Sequence, residues 1–298
     1  MTKTSALLLL AFTSLPLLAQ DPNAGEEAPA SAAEVLTALN AQGGTITLPG
    51  DIATLQLASN FVYLTPENAE TLLVEGWGNP PGNETLGMVL PAGLNPVAAE
   101  GWGVVITYNE DGYISDAEAD EIDYDALLAD MKEASIAESE ERVEMGYGSM
   151  LLTGWAEPPR YDKATHKYYW AQEFDTDGSE INSLNYNIRV LGRQGVLNLN
   201  AIAGMNQIAT IKSEMPDLLA VTEFTDGNRY EQFDANTDKV AEYGLAALIA
   251  GGVAAKMGLF AKLFALLIAF KKVAFVAVAA LIGGFSKFFG KKSNKTEG

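Results

Sequence analysis

His166 is the single histidine of the chain, and Glu157 and Asp162 stand shortly before it. An imidazole with carboxylates nearby is the pattern of a general base and its orienting partner, so Glu157 and His166 are candidate catalytic residues of a hydrolase. The plainer alternative has His166 opening a strand and pairing with a neighbour or with water. Arg189 and Arg193 are scarce cations in an acidic region, one on a strand and one beside it. A guanidinium fork at either place could grip a carboxylate ligand through two parallel hydrogen bonds, or simply balance local acids.

A second kind of chemistry is suggested by the run from Thr107 to Glu118. Counted from Thr107, the residues Asn109, Asp111, Ser115 and Glu118 fall where a calcium loop places oxygen ligands, and Gly112 falls at its sharp turn. The first ligand position holds Thr107 in place of Asp, and the preceding segment reads as a strand. The competing expectation is a strand–turn–helix junction whose acids face water. Three Gly-Trp elements centre on Trp77, Trp102 and Trp155, and the first and third share Trp-x-x-Pro-Pro. Trp77 and Trp155 are candidate binding residues if the two loops line one groove; the commoner role of such a Trp is to anchor a tight corner and pack inward. The chain has no Gly-x-Ser-x-Gly, His-Glu-x-x-His, phosphate loop or dinucleotide fingerprint, and no cysteine. Thiol chemistry is thereby excluded, no cofactor is expected, and carboxylate-only catalysis stays open.

The elements that position these residues read as an α+β domain with an antiparallel β-meander and flanking helices. Ala33 to Ala41 is a short helix, and Thr45–Leu48 and Ile52–Leu64 are extended runs. Thr65-Pro66-Glu67 starts a helix that stops at Gly76. Leu86–Leu90 and Val104–Tyr108 are strand-like, and Asp116 to about Met145 is an acidic helix with Ile122, Leu127, Leu128 and Met131 for a buried stripe. The segments 166–174, 184–191 and 196–201, separated by turn residues, form the meander. Ile202–Glu214 and Pro216–Glu223 read as helical. Two lobes on either side of the acidic helix are one possible arrangement.

Both ends bear on location. Lys3 and the apolar run Ala6–Leu18, with Ala19 as a small residue before the cut, read as a signal peptide over residues 1–19, followed by a flexible leader over 20–31. The exported domain is expected over 32–237. Residues 238–286 are rich in Ala, Leu, Ile, Val and Phe, interrupted by Lys256, Lys262, Lys271 and Lys272. They read as a membrane anchor, either one crossing helix from Asp238 or a helical hairpin, and 287–298 form a basic tail. Residues 21–240 hold 37 acids and 10 bases, a net of −27, whereas residues 241–298 hold 8 Lys and 2 Glu, a net of +6. An acidic body disfavours nucleic acid as a partner.

Several runs taken together resemble a known family. They include Trp77-Gly78-Asn79-Pro80-Pro81, Gly101-Trp102-Gly103, Glu110-Asp111-Gly112-Tyr113, Gly154-Trp155-Ala156-Glu157-Pro158-Pro159, Thr165-His166-Lys167, Leu184-Asn185-Tyr186 and Arg189-Val190-Leu191-Gly192-Arg193. In this order they resemble the bacterial domain of unknown function 2167 family of membrane-anchored proteins. The resemblance implies an envelope location and carries no activity, cofactor or catalytic residue. The expectation is a membrane-anchored, periplasmic-facing envelope protein that engages another envelope protein, or itself through its tail. The alternatives are an envelope hydrolase using acids with His166, and a calcium-responsive sensor.

Overall fold

The computed structural model of the chain describes residues 31–220 and 222–251. The segments read as a signal peptide and, but for Ser31, as a leader lie outside the described residues, as does the expected anchor from residue 252 on. Helix α1 (Ala32–Ala38) starts at Ser31, whose hydroxyl accepts from Glu34 N–H while the Glu34 carboxylate accepts from Ser31 N–H at 2.8 Å. Strands β1 (Thr45–Thr47) and β2 (Ala53–Gln56) pair antiparallel, and β3 (Phe61–Leu64) follows after a turn. The extended run read from Ile52 to Leu64 is thus two strands that serve two sheets. Helix α2 (Pro66–Thr71) begins with Pro66 in its first turn, as expected, and continues through a wide turn, Leu72–Gly76, into Trp77.

Strands β4 (Gly87–Pro91) and β5 (Gly103–Asn109) lead to the acidic helix α3 (Tyr124–Glu144). The helix starts later than the sequence suggests because Asp123 caps it, accepting from Asp125 and Ala126 N–H groups. Then come β6 (Met150–Asp162), β7 (Lys167–Thr176), β8 (Ser183–Leu191) and β9 (Val196–Gly204), followed by α4 (Ile208–Ala220), β10 (Thr222–Phe224) and α5 (Leu245–Ile249). Among the described residues, seven strands form one antiparallel sheet in the order β3-β4-β5-β9-β8-β7-β6, and β1-β2-β10 form a second. The meander is β7-β8-β9. Because β5 pairs with β9 along its whole length, the segments before and after α3 share one sheet, and the two-lobe arrangement does not occur.

Three further expectations are corrected. The Gly154–Pro159 corner is the interior of β6, where Pro158 and Pro159 are accommodated by register shifts on an edge strand. The helix read over 216–223 ends at Ala220 and gives way to β10, with Pro216 inside α4. The domain also does not stop at residue 237. Asp238 is ion-paired to Arg193, and Leu245, Leu248 and Ile249 of α5 are buried, so the folded unit runs to the last described residue, Gly251. Among the described residues no helix is long and apolar enough to cross a membrane.

One face of the large sheet is apolar throughout its middle. Leu184, Ile188, Leu197, Leu199, Ala201 and Ile106 pack there against Ile211, Met215 and Leu218 of α4, against Leu55 and Phe224 of the small sheet and against Leu48 just after β1. The other face is covered in three separate patches. Leu73, Trp77, Met88, Val105 and Ile202 pack beneath α2. Tyr168, Trp170, Leu191 and Val196 pack with Ile114, Tyr230 and the buried side of α5. Met150, Leu152 and Phe174 pack with Leu128 and Met131 of α3.

The C-terminal half of α3 inverts its expected pattern. Ser135 and Ser139 face inward, while Ile136 and Val143 are exposed. The cause is the strand edge it covers: Ser139 Oγ accepts from Met150 N–H at 2.9 Å and Ser135 Oγ accepts from Leu152 N–H at 3.3 Å. Open strand edges need such acceptors or cover.

Candidate functional site

Two places gather polar side chains. The first surrounds His166, at the turn between β6 and β7 in the left-handed region at φ 52°. Tyr161 Oη donates to Asp116 Oδ2 at 2.7 Å and lies 3.2 Å from His166 Nδ1. His166 Nδ1 is 3.6 Å from Asp116 Oδ2, and its Nε2 is 3.5 Å from Glu231 Oε1. The imidazole stacks on Tyr230 at 4.1 Å, and Tyr113 stacks between Tyr230 and Phe233. Tyr230 Oη in turn accepts from Asp116 N–H. With Tyr161 donating to Asp116, a proton on His166 Nδ1 completes the chain His166–Tyr161–Asp116 and leaves Nε2 toward Glu231. Burial works to raise the Asp116 carboxyl, but the Tyr161 and Tyr230 hydroxyls and then His166 outweigh it and hold the carboxyl below its ordinary value. Burial first, then hydrogen bonding and neighbouring acids, pushes the Tyr161 and Tyr230 hydroxyls far above theirs, so both stay neutral. The cluster ties together three chain segments, around residues 113–116, 161–168 and 230–233.

The same corner anchors the segment that leads to α5. Tyr113 exchanges backbone hydrogen bonds with Lys239 and Ala241, and Tyr243 Oη donates to Asp111 Oδ2 at 2.6 Å. Gly112 is required here: its φ is +110°, and an added Cβ would stand 2.7 Å from Lys239 O. Arg193 grips Asp238 with two bonds, Nε to Oδ2 at 2.7 Å and Nη2 to Oδ1 at 2.9 Å. That pairing holds the Asp238 carboxyl down to about 2, helped by the Asp234 N–H.

The second place is the centre of the patch-covered face, between its three apolar patches. Strand pairing sets the side chains in rows. Trp155, Gln172 and Asn185 lie in one, Trp170, Asn187 and Asn200 in the next, and Tyr168, Arg189, Asn198 and Thr107 in a third. Asn187 Nδ2 donates to Gln172 Oε1 at 2.9 Å and to Asn185 O at 3.0 Å. Asn198 Nδ2 donates to Thr107 Oγ1 and to Asn109 Oδ1. Arg189 lies over the Trp170 ring at 4.8 Å, with Nη2 donating to Asn187 Oδ1 and Nη1 to Ile188 O. Among the described residues no carboxylate lies within salt-bridge reach of Arg189. Desolvation lowers its guanidinium to about 10, against a smaller opposing effect of Tyr243. Asn185 Oδ1, Asn200 Oδ1 and Trp170 Nε1 are buried without a hydrogen-bond partner.

The residues singled out from the sequence are distributed unevenly over these places. Arg189 and Trp155 share the polar face, and Asn109 reaches it through Asn198. His166 sits at its margin, close to Glu231 and Asp116 rather than Glu157. Glu157 is ion-paired to Lys212 of α4, on the opposite face of the sheet. Trp77 is 2% exposed and donates its ring N–H to Pro96 O at 2.8 Å, so it anchors a corner. Trp155 lies on β6 and donates to Tyr124 O at 3.4 Å; the two Trp-x-x-Pro-Pro elements belong to different patches and do not line one groove.

Of the calcium-loop residues, Asn109 and Asp111 are taken up by Asn198 and Tyr243, and Ser115 Oγ accepts from Ala117 N–H. Glu118 packs beside Gly244. No group of three acids or histidines that could hold a metal occurs among the described residues. Asp116, Tyr161 and Tyr230, the partners of His166, were not singled out in the sequence. Neither were the asparagines, although Asn185-x-Asn187-x-Arg189 and Asn198-x-Asn200 repeat at the strand period of two.

No curated protein matches the sequence. Among solved structures, cyanobacterial PsbP (CyanoP) from Synechocystis aligns with a TM-score of 0.34 at 14% identity, over 61% of this chain and 91% of that one. The Ran-binding protein Mog1p of Saccharomyces cerevisiae aligns with a TM-score of 0.31 at 9% identity, over 65% and 100%. A Bacteroides thetaiotaomicron protein aligns with a TM-score of 0.31 at 11% identity, over 62% and 50%. No activity is carried over from these likenesses. A family model described as protein of unknown function DUF2167 matches residues 40–282, and the chain belongs to that family.

Proposed function

We propose that the protein is an envelope recognition module, tethered to the membrane by its apolar segment and binding its ligand or partner on the polar centre of the large sheet. The observation that supports this reading is that three of the four buried, unpartnered side-chain atoms among the described residues, all but Asn83 Oδ1, lie on this face beside a cation that no described carboxylate pairs. Nearly all buried polar groups in folded proteins are hydrogen-bonded, and exceptions gathered in one place are characteristic of sites completed by another molecule. The N-terminal apolar run and the basic, apolar stretch from residue 244 favour export and tethering.

In-cell crosslinking of the full-length protein with membrane fractionation tests it. A double variant, Asn185→Leu with Arg189→Gln, should remain folded and membrane-associated while its specific crosslinked adducts disappear. Unchanged adducts would place recognition elsewhere, and recovery in the soluble fraction would remove the tether. The second reading is a hydrolase using His166, favoured by the His166–Tyr161–Asp116 chain. Under it, a folded His166→Ala variant loses the cellular phenotype; under the recognition reading it keeps it.

A further inference from the structure

The polar centre has a definite chemistry. Its two spare acceptors are the amide oxygens Asn185 Oδ1 and Asn200 Oδ1, and its spare donor is the Trp170 indole N–H. Arg189 adds a positive charge whose hydrogen bonds go to neutral acceptors, the Asn187 amide and the Ile188 carbonyl. Asn185 and Trp170 are 4% and 1% exposed, so these groups are nine-tenths or more enclosed, whereas Asn200, Gln172 and Arg189 are partly open and form the approach.

The surrounding charge narrows the ligand further. Residues 21–240 carry a net charge of −27, yet among the described residues no acid is paired with Arg189. A plain polyanion would be repelled by that body, while a molecule whose carboxylate is balanced by its own N–H or ammonium donors is not. A carboxylate answers Arg189 and the Trp170 N–H with charge-assisted bonds, and adjacent N–H donors answer the two asparagine oxygens.

Resting on the recognition reading above, we propose that this face binds an amino-acid carboxylate: a free amino acid or the C-terminal end of a peptide. Arg189 holds the carboxylate, and Asn185 and Asn200 accept from the neighbouring nitrogen. The two sources share this chemistry and are separated by experiment. The residues of the His166 cluster take no part.

Full-length protein in detergent micelles is titrated with the twenty free L-amino acids and with a pool of tripeptides, each beside its C-terminal amide. Calorimetry and thermal unfolding are the readouts. The expected result is binding that weakens at least about tenfold on amidation. The same loss is expected in Arg189→Gln, with that variant and Asn185→Leu both still unfolding cooperatively when unliganded. Preference for tripeptides over free amino acids assigns the site to peptide ends; the reverse assigns it to the free compounds. Equal binding of acid and amide, or no binding by any probe, overturns the carboxylate proposal. If the crosslinked adducts still depend on Asn185 in that case, recognition at this face stands with another ligand class; if they do not, both readings fall.

Discussion

The two faces of the large sheet are made by alternate residues of the same strands, and they are finished in different ways. On β8, Leu184, Ile188 and Val190 point into one continuous apolar core closed by α4 and the small sheet. Their immediate neighbours Asn185, Asn187 and Arg189 point to the other side, into a polar centre ringed by three apolar patches. Folding alone would favour apolar residues on both faces of a strand covered on both sides. The first face therefore holds the domain together. The second gives up cohesion at its centre, and its patches secure only its rim.

The largest effects that sharpen this contrast belong to the rim. Trp77→Ala removes a fully packed ring and the N–H bond to Pro96 O. It should cost about 3–5 kcal/mol in urea unfolding, with crosslinking retained by whatever fraction folds. Trp155→Ala, on a half-buried edge residue, should cost less than half of that. Equal losses would mean that the polar face is as tightly built as the patch under α2.

Smaller effects follow at the covered edge. Ser139→Ala leaves the Met150 N–H without its acceptor under α3 and should cost about 1–3 kcal/mol. Hydrogen exchange at Met150 should accelerate in that variant. An unchanged exchange rate would mean that α3 protects β6 by coverage alone.

The smallest effect concerns the segment leading to the tail. Arg193 depresses the Asp238 carboxyl from its ordinary 3.8 to about 2. The pair's contribution is present in full well above the unfolded value of 3.8 and is lost as pH falls through about 2, because only the ionised form is favoured by folding. Asp238→Asn should therefore lower the melting temperature at neutral pH, and the difference from wild type should shrink steadily as pH falls from about 4 toward 2. A difference that keeps its full neutral-pH size at about pH 2 would assign the effect to something other than this charge pair.

The meander and the Thr65-Pro66 helix start were readable from the sequence because turn residues, capping residues and period-two runs are local signals. Strand β6 was not readable. Its Gly-Trp and Pro-Pro dipeptides are turn chemistry in isolation, and only its place at the sheet edge, with bulges, makes them compatible with a strand. The inward serines of α3 were hidden for a similar reason: a helix covering strand N–H groups needs acceptors rather than leucines. Of the candidate site residues, Arg189 was visible as a rare cation. The asparagine rows were written in the strand period but have no meaning until β8 and β9 are paired. The partners of His166, namely Asp116, Tyr161 and Tyr230, stand 45 to 114 residues from one another in sequence, which no local pattern joins.

The most direct measurement compares Leu184→Asn with Asn185→Leu, adjacent residues of β8 on opposite faces, by urea unfolding of the full chain. The expected result is a loss of about 3–5 kcal/mol for Leu184→Asn, which buries an amide in the continuous core. Asn185→Leu should stay within about 1 kcal/mol of wild type, or gain stability, because it removes an unpartnered buried oxygen. Comparable losses in both variants would contradict the assignment of the polar face to binding and make it part of the structural core.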